Sequence, residues 1–114
     1  MIGTLKRISG PAYIGNAAAD IYTPPASTIF TIINHIRVAN KTSGAVTYTL
    51  YVGATGGSAG GTELTGLSES VPANSHVDHY FSPGLRMAST DFLSGVASAA
   101  SSLTITVMGQ QGVV

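Results

Sequence analysis

Cysteine is absent from these 114 residues, so no disulfide framework, thiolate metal site or thiol nucleophile can form. Stability must rest on packing and assembly. Charge is scarce as well: 9% of residues are charged, against about a quarter in an ordinary soluble domain. The five basic and five acidic residues cancel, and Lys6, Arg7, Arg37, Lys41 and Arg86 form no stretch able to track a phosphate backbone or an anionic lipid surface. Nucleic acid and membrane are therefore not expected partners. A surface with no net charge lacks the self-repulsion that keeps monomers apart, and the plentiful Ser and Thr hydroxyls must carry solubility. Long hydrophobic runs are missing too: nothing approaches the roughly 20 apolar residues of a membrane span, and residues 1–8 lack the apolar region of a signal peptide. The expected site of synthesis is the cytosol.

What is present is two-residue alternation. It runs over residues 28–40 and 46–52 and returns at 103–107, where helical spacing would scatter the apolar positions. The even positions Phe30, Ile32, Ile36, Val38, Val46, Tyr48, Leu50 and Val52 and the odd positions Leu103, Ile105 and Val107 each line one strand face. Further strands are expected at 18–23, 75–82, 85–88 and 92–97, with Pro24-Pro25, Asn40-Lys41-Thr42-Ser43-Gly44, Pro83-Gly84 and Ser89-Thr90-Asp91 as punctuation. Asn40 to Gly44 reads as a hairpin, residues 53–61 as a mobile glycine-rich loop, and 62–71 as an irregular strand or turn. In 75–82, Val77, His79 and Phe81 form the more apolar face and are assigned to the core. The sum is an all-β single sandwich, Greek-key or jelly-roll-like, of about seven or eight short antiparallel strands. Residues 1–17 form an extended N-terminal arm and first turn, and 18–114 the sandwich.

The outer faces are where partners would bind. With even positions inside, Ile29, Thr31, Ile33, His35 and Arg37 point outward on the first long strand, and Thr47, Thr49 and Tyr51 on the second. Paired in a hairpin, Ile33 and Tyr51 would make an apolar patch bordered by His35 and Arg37, a mixture that contact surfaces prefer, unless another strand of the same subunit covers it. The arm, through Leu5, can add to a neighbour's open sheet edge. The candidate interface residues are thus Leu5, Ile33, His35, Arg37, Tyr51, His76 and Tyr80.

Catalytic and metal chemistry find little footing. His76, Asp78 and His79 have metal-ligand character, but in an extended strand His79 points away from the other two. No Gly-x-Ser-x-Gly elbow is present, and Gly56-Gly57-Ser58-Ala59-Gly60-Gly61 lacks the Lys and helix of a phosphate cradle. Asp91 reads as a turn former and Asp20 as a solvated strand residue. No metal, cofactor or catalytic set is expected.

In order along the chain, Ser9-Gly10-Pro11-Ala12, then Ile21-Tyr22-Thr23-Pro24-Pro25-Ala26, then His35 through Thr47 with its Asn40-Lys41-Thr42-Ser43-Gly44 turn, then Val71-Pro72-Ala73, and finally Leu103-Thr104-Ile105-Thr106-Val107-Met108-Gly109 resemble small β-sandwich virion proteins of tailed bacteriophages. These are the capsid decoration (cement) proteins and related head or tail accessory subunits. The resemblance implies a non-enzymatic subunit, often a trimer, made in the host cytoplasm and docked without covalent bonds on the major capsid protein or other virion proteins at the capsid surface. Met108, His76 and His79 depart from the family pattern. A tail, connector or fibre-base subunit is the alternative of the same class. A carbohydrate- or receptor-binding jelly roll is the alternative of another class, although the chain has no Trp and only five Tyr, of which Tyr13, Tyr51 and Tyr80 are candidates.

Overall fold

A computed structural model describes residues 6–25, 28–55, 57, 62–64 and 69–113. Eight strands run β1 (Lys6–Tyr13), β2 (Ala19–Tyr22), β3 (Thr28–Asn40), β4 (Val46–Gly53), β5 (Glu69–Val71), β6 (Ser75–Ala88), β7 (Phe92–Ala97) and β8 (Leu103–Val113). The front sheet has the order β1-β8-β3-β6 and the back sheet β2-β7-β4-β5, with every pairing antiparallel. Apart from β4 to β5, each successive strand crosses to the opposite sheet, which is the jelly-roll arrangement. The expected all-β sandwich is present, in the jelly-roll form.

The two long strands do not make the expected hairpin, because β3 lies in the front sheet and β4 in the back one. Asn40 holds the crossing. Its amide nitrogen donates to Gly44 O at 2.8 Å and Val71 O at 3.1 Å, and its Oδ1 accepts from Thr42 N at 2.9 Å. All of this happens in a side chain that is 3% exposed, so the polar turn is anchored inside the sandwich.

Alternation in β3 reverses halfway. Ile36 and Val38 are buried as expected, but so are Thr31 and Ile33, each 0% exposed, while Phe30 and Ile32 lie part-exposed on the outer face. The cause is an extra residue. Ile33 pairs with Gly109 and His35 with Met108, so β3 advances two residues while β8 advances one, and Asn34 is the bulge. One inserted residue flips every later side chain to the other face, which keeps both halves of a thirteen-residue strand buried against the same core. Gly109 permits it: a Cβ there would sit 2.1 Å from Ile32 O. The outward assignment of Thr31 and Ile33 and the inward one of Phe30 and Ile32 are corrected accordingly. The stranded Phe30 ring lies over Gly112, where a Cβ would come within 2.1 Å of Cε1, and beneath the Arg86 guanidinium, 4.7 Å from its centroid.

β6 absorbs the same irregularity. Its partner changes from Tyr80 opposite His35 to Leu85 opposite Ile33, so the segment 81–84 bows out around Pro83-Gly84 and the two strands expected at 75–82 and 85–88 form one. Val77 and Phe81 pack against the core, as assigned. At the other edge, Lys6–Tyr13 of the segment read as an N-terminal arm and first turn forms β1, paired with β8. The expected roles of Asp91 and Asp20 hold: Asp91 Oδ2 accepts from Ala88 N at 2.9 Å, and Asp20 is exposed in β2. The expectations for Leu5, the side chain of Ile29, residues 65–68 and most of the glycine-rich loop lie outside the described residues.

The core joins Ile14, Ile33, Ile36, Val38, Leu50, Val71, Met87, Leu93, Leu103, Ile105 and Val107 between the sheets. Two tyrosines of the back sheet carry polar links across it. Tyr22 Oη lies 3.1 Å from Thr31 Oγ1 and accepts from Gln111 Nε2 at 2.6 Å, and the Tyr48 hydroxyl hydrogen-bonds His79 Nε2. Burial, aided by the nearby Glu69 charge, pushes the Tyr48 hydroxyl up to about 12.

Two expectations follow from this packing. Ile33→Ala should lower unfolding free energy by about 2–5 kcal/mol in urea titrations, as for other buried aliphatic truncations, and Ile33→Asp should prevent folding. An unfolded tyrosine ionises near pH 10, whereas folded Tyr48 does so near about 12. The stability it contributes is therefore complete below about pH 10 and is lost between about 10 and 12, so Tyr48→Phe should make the alkaline fall in stability shallower.

Candidate interaction face

Downstream of the bulge, odd residues of β3 and even residues of β6 share the outer face of the front sheet. Antiparallel register sets Arg37 directly opposite Asp78 and His35 opposite Tyr80, with His76 opposite Ala39. Arg37 and Asp78, 41 positions apart in sequence, thereby become cross-strand neighbours. Arg37 donates to Asp78 through Nε at 2.7 Å to Oδ1 and Nη2 at 3.2 Å to Oδ2, a fork-shaped pair. His35 Nε2 lies 2.8 Å from Oδ1, and since an ionised carboxylate can only accept, that nitrogen carries the hydrogen. His76 Nε2 stands 3.4 Å from Oδ2 on the other side.

Asp78 is thus the hub of the face. The Arg37 guanidinium, and after it the His35 hydrogen bond, hold its carboxyl well below the usual carboxylate range against the opposing effect of desolvation. The same carboxylate raises the pKa of Arg37, so each charge favours the other. The His35 ring stacks on Tyr80 with centroids 4.5 Å apart and planes 13° from parallel, although Tyr80 is 73% exposed. An exposed aromatic is in this way held in one orientation, a preorganised contact that costs little further ordering on binding.

One end of the face opens into a cleft of about 440 Å³, with Arg37, Lys41, Asn74, Ser75, His76 and Thr104 among its walls. Lys41 Nζ donates to Tyr13 Oη at 2.5 Å and sits 4.8 Å from that ring's centroid. Tyr13 and Tyr80 are the large apolar side chains left exposed among the described residues.

Of the seven candidate interface residues, His35, Arg37, His76 and Tyr80 converge here. Ile33 does not: it is in the core, because the bulge reversed its face. Tyr51 is part-exposed on the back sheet, bridged to Glu63 and opposite Ser94, and so cannot adjoin the others. His79 points inward to Tyr48, away from His76 and Asp78, as the strand alternation required. Among the described residues no group of three or more His, Asp or Glu side chains is arranged to hold a metal ion. The seven candidate interface residues do not include Asp78, Lys41 or Tyr13. The available signal for Asp78 was its i±2 spacing from His76 and Tyr80, but its partners on β3 appear only once the strands are paired.

No family model matches the chain, and no curated protein sequence does. Among solved structures it is similar to a chain of Bacillus endospore appendages, described as a family of disulfide-linked pili, with 17% identity and a TM-score of 0.53 over 100% of this chain and 91% of that one. A pentameric capsid protein from metagenomic phage sequences gives 15% identity and a TM-score of 0.38, covering 92% of this chain and 62% of that one. What the appendage chain shares with this one is the fold. The disulfide linkage of the pili has no counterpart here, since the chain has no cysteine.

Asp78→Asn should lower the thermal midpoint at pH 7. The carboxyl is depressed in the folded state, so its contribution is present above the unfolded carboxylate pKa of about 3.9 and is lost as pH falls toward the lower folded value. The gap between wild type and Asp78→Asn in scanning calorimetry should therefore narrow below about pH 4.

Proposed function

We propose that this chain is a non-enzymatic structural subunit of a phage virion, a capsid decoration protein that binds and stabilises the shell through non-covalent contacts. The observation that carries the reading is the outer face of the front sheet, where Asp78 locks Arg37 and His35 into a rigid array beside the exposed Tyr80. Aromatic and Arg side chains held ready on a surface of low charge are what protein contact surfaces favour. The jelly roll with a sparsely charged exterior of no net charge supports it, as does the resemblance of the ordered segments to phage accessory proteins. Docking of many identical copies on a repeated lattice lets a modest area per subunit suffice. The partners on this reading are other copies of the chain and the major capsid protein, and the location is the capsid surface after synthesis in the host cytoplasm.

Purified protein added to expanded capsids lacking it should bind in hundreds of copies per particle and raise the temperature at which the shell releases its contents. Copies in sixes or twelves would move the subunit to the tail or connector, and unchanged shell stability would remove the decoration role. A second reading, a carbohydrate-binding module, draws on one observation: Tyr13 lies beside the polar cleft of about 440 Å³, and Tyr80 is held on the same outer face. It requires a glycan-array signal that Tyr80→Ala and Tyr13→Ala abolish.

A further inference from the structure

Each sheet has two edge strands, and three of the four edges resist addition of another strand. β1 breaks register twice, carries Gly10 and Pro11, and exposes Lys6 and Arg7. β2 has four residues and a shift after Asp20, and β5 has three residues and stops at Pro72. Shortness, bulges, proline and edge cations are the devices by which sheets avoid edge-to-edge pairing. β6 has none of them over its first half. From Ser75 to Tyr80 it keeps six consecutive partners on β3 without a shift, which amounts to about 20 Å of regular strand. Its other side meets no strand among the described residues, so alternate backbone N–H and C=O groups face outward there.

We propose that this edge pairs antiparallel with β6 of a second copy of the chain, about a two-fold axis at Val77. The occupant follows from length, because among the described residues no other edge offers a regular run to match. The register follows from faces and charge. Val77 and His79 face the core while His76, Asp78 and Tyr80 face out, so a continuous sheet requires like faces to meet and places the axis on a residue rather than between two. An axis at Asp78 would set that carboxylate against its own copy, like charge against like. Axes further along the strand run the pairing into the bowed segment 81–84 or into Asn74, a turn residue with φ 53°. With the axis at Val77, His76 opposes Asp78 of the partner subunit, and the reverse pair repeats it on the other side of the axis. The two Val77 side chains meet on the inner face. That contact also covers an opening: Val77 and Phe81 touch the core yet remain part-exposed, because β5, the back-sheet edge near β6, is three residues long.

The inference goes beyond the virion reading and can fail separately from it, since a monomer that still binds shells would end this proposal alone. In light scattering the full chain at micromolar concentration should have twice the 11.5 kDa protomer mass. Val77→Cys introduces the one thiol and should give a dimer on a non-reducing gel after mild oxidation, whereas Lys6→Cys, on the β1 edge, should not. His76→Asp, at a half-exposed position, should leave the fold intact and raise the dimer dissociation constant about tenfold by opposing two carboxylates at each of two symmetric contacts. Should Val77→Cys fail to fold, the His76→Asp shift decides. A monomer, a trimer, a dimer that crosslinks through Lys6→Cys, or a dimer indifferent to His76→Asp would overturn the proposal.

Discussion

The bulge at Asn34 is the constraint on which the rest of the front sheet depends. A strand of thirteen residues in a sandwich must present one side to the core along its whole length, and β3 achieves this with a sequence that changes parity midway. Without the extra residue, either Ile33 and Thr31 or Ile36 and Val38 would face solvent. β8 stays in phase, keeping Leu103, Ile105, Val107 and Gly109 on one side, so the insertion lies wholly in β3. Gly109 gives way on one flank, and the bowed segment around Pro83-Gly84 gives way on the other.

The same device arranges the outer face. Because the parity changes, His35 and Arg37 emerge on the side that Phe30 and Ile32 occupy upstream, and only there do they meet Asp78 and Tyr80 across the β3–β6 pairing. One carboxylate then organises a cation, an imidazole and, through that imidazole, an exposed phenol. The polar links inside the sandwich follow a similar economy. Tyr22 and Tyr48 reach from the back sheet to Thr31, Gln111 and His79 on the front one, so buried hydroxyls find partners and help set how the sheets face each other.

A jelly roll leaves edges open, and this one treats them unequally. Irregular or short β1, β2 and β5 contrast with the straight first half of β6, which also carries three of the side chains of the interaction face. Face and edge are thus contiguous, and a subunit joined to its copy through β6 would present two such faces on one surface. This is a geometry suited to binding repeated sites, where valency multiplies weak contacts.

The amino-acid sequence by itself determined the class of the fold, the bounds of β3 and β7, the turn at Asp91 and the inward face of β6 at Val77 and Phe81, because alternation and Pro, Gly and Asn punctuation are local properties of a chain. It also singled out four of the residues that share the interaction face. Tertiary structure alone decided that Asn40 to Gly44 crosses between sheets, that Ile33 is buried, and that Tyr51 lies apart from His35. Those outcomes depend on which strands pair and in what register, and a bulge shows itself only when the partner strand falls one residue behind.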